Sequence, residues 1–152
     1  MFVSKKLELE GVKGGKGLFA KEYVRKDEIL IRFKGNFLGK ATRTSLQIGE
    51  NKHLEGPGKI DDFLNHSCEP NGYIDFGDMN LRALRRIRKG EEVTFNYLTT
   101  EWDMKKKFRC GCGSKKCLRF IRGFKYLTAE QKGRLEPLLS PFLKGKLKES
   151  FT

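Results

Sequence analysis

The chain has 152 residues, of which 34% are charged and 38% hydrophobic, and a formal net charge of +13 at pH 7. That length suits one compact domain with a real core and is too short for two of ordinary size. No apolar run approaches the roughly 20 residues of a membrane span, and the N-terminal Met-Phe-Val-Ser-Lys-Lys lacks the apolar stretch of a secretory signal, so the chain reads as soluble and intracellular.

In chain order, the first half reads as short strands separated by glycines. The best supported are Gly17 to Ala20, Glu28 to Phe33 and Leu46 to Ile48. His53 reads as an ordinary satisfied buried histidine. Tyr73 to Phe76 and Leu81 to Leu84 form a candidate hairpin around Gly77-Asp78, and Arg85 to Lys89 make a basic turn into a strand from Glu92 to Tyr97. Residues 99–109, which hold the only tryptophan, Trp102, read as a connector. Thr128-Ala129-Glu130-Gln131 has capping-box spacing and opens a helix whose apolar face is Leu135, Leu138 and Leu139. Ser140-Pro141 starts a second helix with Phe142, Leu143 and Leu147 on its apolar side, and for both helices packing on the domain is the first expectation, with a dimer contact or partner binding as the alternatives. The core is mainly β, with no internal repeat and no low-complexity segment.

The charge is unevenly placed. Residues 1–46 carry +6, residues 47–81 carry −5 and residues 82–152 carry +12. Such a basic excess points to nucleic acid or another polyanion. The acidic island of Glu50, Glu55, Asp61, Asp62, Glu69, Asp75 and Asp78 is placed to line a groove that attracts a basic peptide.

All four cysteines fall into one metal-like arrangement. Cys110, Cys112 and Cys117 lie in C-G-C-G-S-K-K-C, and Cys68 lies 42 positions before Cys110 in N-H-S-C-E-P-N. Four thiolates make a closed tetrahedral zinc site that holds structure and leaves no open position for chemistry. Disulfides are the competing use, but a highly charged chain with a plausible core does not resemble a small disulfide-stapled scaffold. Zinc would bring Asn65, His66, Ser67 and Asn71 next to the C-terminal third, where G-E-E-V-T-F-N-Y ends at Tyr97.

Four segments in this order, G-K-G-L-F from Gly15, N-H-S-C-E-P-N from Asn65, G-E-E-V-T-F-N-Y from Gly90 and the terminal C-x-C-x4-C, resemble a SET-domain protein lysine methyltransferase with a post-SET zinc cluster. The resemblance runs from about residue 5 to residue 125. It implies a mainly β fold of small curved sheets with a pseudoknot. The SET domain would cover residues 1–104 with a short insert at about 37–58, the post-SET zinc segment 105–125, and a helical extension 126–152. It also implies transfer of methyl from S-adenosyl-L-methionine to a lysine amine of a protein, with Zn2+ in a structural role.

Carried over residue by residue, the resemblance assigns cofactor contact to Gly15, Lys16, Gly17, Asn65 and His66. Leu118 and Phe120 would cover the adenine or the channel mouth. Tyr97 would be the catalytic residue, its hydroxyl beside the transferred methyl. Phe95 would share the lysine channel, and its lack of a hydroxyl leaves room for di- or trimethylation. Cys68, Cys110, Cys112 and Cys117 would hold the metal. Asn96 departs from the family's common aspartate. The implied partner is a protein with an exposed lysine, foremost a basic histone or histone-like tail. A non-catalytic basic zinc module binding nucleic acid or chromatin is the alternative, and docking of the basic face on a nucleosome would combine the two. Only about one part in 2,500 of a free lysine is neutral at pH 7, so methyl transfer is expected to rise from pH 7 toward about pH 9.

Overall fold

The computed structural model describes residues 1–151. In chain order the strands are β1 (Phe2–Val3), β2 (Leu7–Val12), β3 (Gly15–Ala20), β4 (Ile29–Arg32), β5 (Asn36–Leu38), β6 (Leu46–Gly49) and β7 (Lys52–Glu55). They continue as β8 (Asn65–His66), β9 (Gly72–Asp75), β10 (Asn80–Ala83), β11 (Glu92–Phe95), β12 (Phe108–Arg109) and β13 (Phe120–Ile121). Two helices follow, α1 (Ala129–Leu135) and α2 (Pro141–Glu149). The strands form four small sheets, ordered β1-β4-β10-β9, β2-β3-β11-β8, β5-β7-β6 and β12-β13. This is the mainly β class expected.

The sheet that positions the site begins with the hairpin β2–β3, in register from Leu7 opposite Ala20 to Val12 opposite Gly15. Lys13-Gly14 closes it, and Gly14 takes the φ of +87° that a residue without Cβ adopts freely. Strand β11 lies antiparallel to β3 and parallel to β8, pairing Thr94 with Asn65 and Phe95 with His66. Only two residues of β8 join the ladder, and the Asn71 side chain extends the pairing. Its Nδ2 donates to Glu92 O at 2.8 Å and its Oδ1 accepts the Thr94 N–H at 3.0 Å.

Buried residues of both four-stranded sheets build the main core. Leu18, Leu30, Ile31, Leu81 and Val93 are fully buried, as are Val24 and Ile87, which pair with each other in an isolated antiparallel bridge. Each such side chain contributes about 1.5–3 kcal/mol of burial free energy. A second cluster joins Phe124, Leu139, Leu143 and Leu147 to Trp102, and a third joins Leu98, Met104 and Ile121 to Cys68, Cys110 and Leu118.

Several expectations shift. The strand through Glu92 stops at Phe95, and Tyr97 instead opens a 3-10 turn, Tyr97–Thr99, whose start is capped by the Asn96 side chain accepting the Leu98 N–H. The hairpin strands begin one residue earlier than expected, Asn80 pairing with Asp75. Its turn closes with Met79 at φ +57°, a conformation the Gly77-Asp78 signal did not indicate. Strand β2 alternates apolar and acidic residues in Leu7-Glu8-Leu9-Glu10, a period-2 pattern that deserved a strand assignment. His53 is buried as expected, but its Nδ1 finds no hydrogen-bond partner among the described residues, so it is not the satisfied histidine expected.

The C-terminal helices form as their caps indicate. Thr128 and Gln131 exchange both capping-box bonds, and Ser140 Oγ accepts the Leu143 N–H at 3.1 Å. Leu138 falls in a 3-10 turn between the helices. Ser140 N–H donates to Thr99 O at 2.9 Å, so α2 is docked on the residues that follow Tyr97. No helix among the described residues is long and apolar enough to cross a membrane.

Candidate active site

A cleft of about 610 Å³ opens between the β2–β3 hairpin, the 3-10 turn Ile60–Phe63, β8 and the segment that follows β11. It lies within the size range of small-molecule sites. Gly15, Lys16, Asn65, His66, Phe95 and Tyr97 all line it, so residues distant in sequence meet in one place.

The hairpin end supplies backbone and lysines. Asn65 Nδ2 donates to Lys16 O at 3.0 Å and to Glu92 Oε2 at 2.8 Å, which fixes the amide against the glycine-rich strand. Gly17 does not line the cleft. A Cβ there would strike the Glu92 carboxylate and come within 3.1 Å of Asn65 Nδ2, so a side chain at 17 would displace the carboxylate that holds Asn65.

His66 connects two parts of the molecule. Its Nδ1 accepts the Tyr97 N–H at 3.0 Å, and its Nε2 lies 3.3 Å from Cys68 Sγ. Burial holds its pKa down to about 4, so the ring is neutral, and with Nδ1 accepting, the proton sits on Nε2 and faces the sulfur.

Tyr97 is packed by Phe95 at 5.0 Å, His66 at 5.3 Å and Phe108 at 6.0 Å between ring centroids. Its hydroxyl donates to Leu64 O at 2.6 Å. Burial, and after it the charge of Glu92, hold the phenol above its ordinary value. Tyr97 therefore keeps its proton near neutral pH and acts through a placed hydroxyl, not as a base.

The four cysteine sulfurs lie within 4.8 Å of one another, with Cys68 Sγ and Cys110 Sγ 4.0 Å apart and no disulfide between them. Thiolates around a tetrahedral zinc at 2.3 Å sit about 3.8 Å apart, so this donor set fits that ion. Leu118 N–H points at Cys68 Sγ at 3.5 Å, and the Leu118 side chain packs beside the cysteines, not in the cleft. Phe120 is 48% exposed and is also outside the cleft.

The acidic island does not form one groove. Only Asp61 and Asp62 of its seven acids line the cleft. Glu50 pairs with Lys146, Asp75 and Asp78 pair with Arg82, Glu69 accepts from Ser114, and Glu55 accepts from Thr42 and Thr44. Lys13, Lys16, Lys34, Arg43, Lys105 and Lys106 line the same cleft, so its rim is mixed and mainly cationic.

Sequence reasoning missed the inner wall supplied by Leu46, Leu64, Glu101, Met104 and Phe108. Glu101 is the informative one, since its side chain is buried inside what reads as a connector. Phe108, two residues before Cys110, was within reach of the motif reading, because a metal cluster fixes its neighbours.

The model of the SET domain matches residues 15–98, more than half of the chain. The chain belongs to the SET domain family. Methyltransferase flvH of Aspergillus flavus is 37% identical over 111 residues, covering 70% of this chain and 62% of flvH. Histone-lysine N-methyltransferase 2B of Homo sapiens is 32% identical over 133 residues, covering 70% of this chain but 5% of that protein. The chain thus spans less than two thirds of the length of either relative. Among solved structures, KRYPTONITE in complex with mCHH DNA, H3(1-15) peptide and SAH superposes with a TM-score of 0.60 at 21% identity, over 78% of this chain and 30% of that one. At that identity the likeness establishes the SET fold alone.

Proposed function

We propose that this chain transfers methyl groups from S-adenosylmethionine to the side-chain amine of lysine in a protein, foremost a histone or histone-like tail. The observation that carries this reading is the meeting of Tyr97, Phe95, His66, Asn65 and the Gly15-Lys16 backbone in one cleft. The residues fit the cofactor. Backbone and amide groups at the hairpin end suit an amino-acid head group, Lys13 and Lys16 favour its carboxylate, and the aromatic wall suits a sulfonium. When bound, the cofactor supplies an electrophilic methyl carbon.

The protein's part is then alignment and exclusion of water. Tyr97, held by Leu64 O and His66, offers its hydroxyl and ring edge where amine and methyl would meet. Phe95 narrows the passage without adding a hydroxyl, which favours more than one methyl addition. The cysteine cluster, loaded with zinc, would hold His66 and hence Tyr97 in place from behind. The relatives named histone-lysine methyltransferases, and a structural relative holding SAH and an H3 peptide, support the substrate class.

The deciding experiment is transfer of labelled methyl from S-adenosylmethionine to core histones and to a whole-cell extract. A labelled band that weakens about 10- to 100-fold with Tyr97→Phe supports the enzyme, that loss matching one positioned hydrogen bond. A zinc-loaded sample that does not bind the cofactor at all overturns it. The charge of +12 over residues 82–152 supports a second reading, contact with nucleic acid, for which duplex DNA binding should weaken steeply with salt.

A further inference from the structure

Tyr97 retains its proton, so the cleft needs another group to accept one if an ammonium is to become a nucleophile. Glu101 lines the cleft with only 8% of its surface exposed. It follows Tyr97 by one helical turn, and its backbone N–H donates to Tyr97 O at 2.9 Å. Its Oε2 accepts the Gln47 N–H at 2.9 Å and the Thr100 hydroxyl at 2.6 Å, which lock the carboxyl in one orientation. Among the described residues no hydrogen bond reaches Oε1, which leaves it the unpartnered oxygen of a carboxyl whose residue lines the cleft.

We propose that the Oε1 atom of Glu101 pairs with the substrate ammonium and takes its proton, which makes Glu101 a catalytic residue and restricts the site to amine cations. In this step an N–H bond breaks, an O–H bond forms on Oε1, and the electron pair stays on nitrogen. The freed pair then bonds to the methyl carbon while the carbon–sulfur bond breaks toward sulfur. This second half rests on the methyltransferase reading above, with S-adenosylmethionine as co-reactant. The Glu101 proton returns to water through the cleft before the next turnover.

Burial lifts the Glu101 carboxyl to about 7, against the opposing pull of its Gln47 and Thr100 hydrogen bonds. A base with that value is matched to exchanging protons near neutral pH. The charge is also felt at the reaction centre, since Glu101 contributes to holding the Tyr97 phenol up. The other charged and titratable groups of the cleft are Lys13 and Lys16 at the β2–β3 hairpin end, Lys34 after β4, Arg43 before β6, Asp61 and Asp62 on the 3-10 turn, His66 on β8, Tyr97, and Lys105 and Lys106 after Met104. None of them forms an ion pair with Glu101 among the described residues. Asp61 is a weaker candidate, because its Oδ1 already accepts the Lys59 N–H on an exposed turn.

The test uses the full chain, zinc-loaded and saturated with S-adenosylhomocysteine, with 13C-labelled glutamate. The Glu101 carboxyl signal, assigned by its loss in Glu101→Gln, is followed against pH with n-butylamine or with n-butanol as probe. The expected result is a titration midpoint that the amine lowers by roughly one pH unit and the alcohol leaves unmoved, as a paired cation requires. Methyl transfer to core histones by Glu101→Gln should fall about 10²-fold at pH 7, with the deficit shrinking toward pH 9.5, where the free amine supplies itself. Glu101→Asp should keep the wild-type pH limb at reduced rate, which a merely structural role would not do. A Glu101 signal that ignores the amine, or a deficit equal at every pH, overturns the assignment. Failure of S-adenosylhomocysteine to bind the wild type would sink the methyltransferase reading instead, and the amine response of Glu101 would still decide this one.

Discussion

Tyr97 and Glu101 stand four residues apart and differ in how legible they are. Tyr97 ends a motif whose order in the chain marks it, and the structure brings it to Asn65, His66 and Phe95 as that order implies. Glu101 sits in Thr99-Thr100-Glu101-Trp102, where no local pattern separates a buried acid from a solvated one. Its burial is set by β6, through Gln47, 54 positions earlier. Leu118 illustrates the converse, since proximity to Cys117 places it at the metal cluster and not at the cleft. At this scale Gly17→Ala should push the Glu92 carboxylate aside and release Asn65. Binding of S-adenosylhomocysteine measured by calorimetry is expected to weaken about 10-fold, the cost of roughly one hydrogen bond to a charged partner.

The elements were readable where a face or a cap declares itself. Helix α2 follows from Ser140, Pro141 and the spacing of Leu143 and Leu147, and it buries both leucines against Phe124. Strand β8 was not readable as a strand, because two residues carry no periodicity and only the parallel neighbour β11 defines it. Strands β12 and β13 are equally short and exist as partners of each other. Leu143→Ala should cost about 2–5 kcal/mol, measured by denaturant unfolding, since Leu143 is fully buried. Ser140→Ala should cost about 1 kcal/mol through the lost cap. Removing zinc by chelation is expected to expose residues 105–125 to protease and to abolish cofactor binding in the same step, because structural zinc sites contribute about 10–16 kcal/mol. A chelated, zinc-free sample that keeps both would refute a structural metal here.

For the molecule as a whole, Glu101 ties stability to pH. Its carboxyl holds a proton more tightly folded than unfolded, moving from an ordinary 4.5 to about 7. The folded state therefore loses stability as pH rises through that interval, and above it the loss is complete at about 3 kcal/mol. Glu101→Gln should melt roughly 5–10 °C above the natural chain at pH 8, with the gap closing toward pH 5. Scanning calorimetry that finds the variant less stable at pH 8 would contradict that burial cost. A gain in stability beside a loss in rate is the pattern of a residue kept for chemistry. The same long-range organisation makes the cysteine cluster and the cleft two ends of one hydrogen-bonded chain, from Cys68 through the His66 ring to the Tyr97 backbone. A spectroscopist can use that chain. Cobalt(II) in place of zinc would give the thiolate cluster a visible chromophore whose ligand field senses the imidazole proton at Cys68. Filling the cleft should then change the colour of an ion that touches neither cofactor nor substrate.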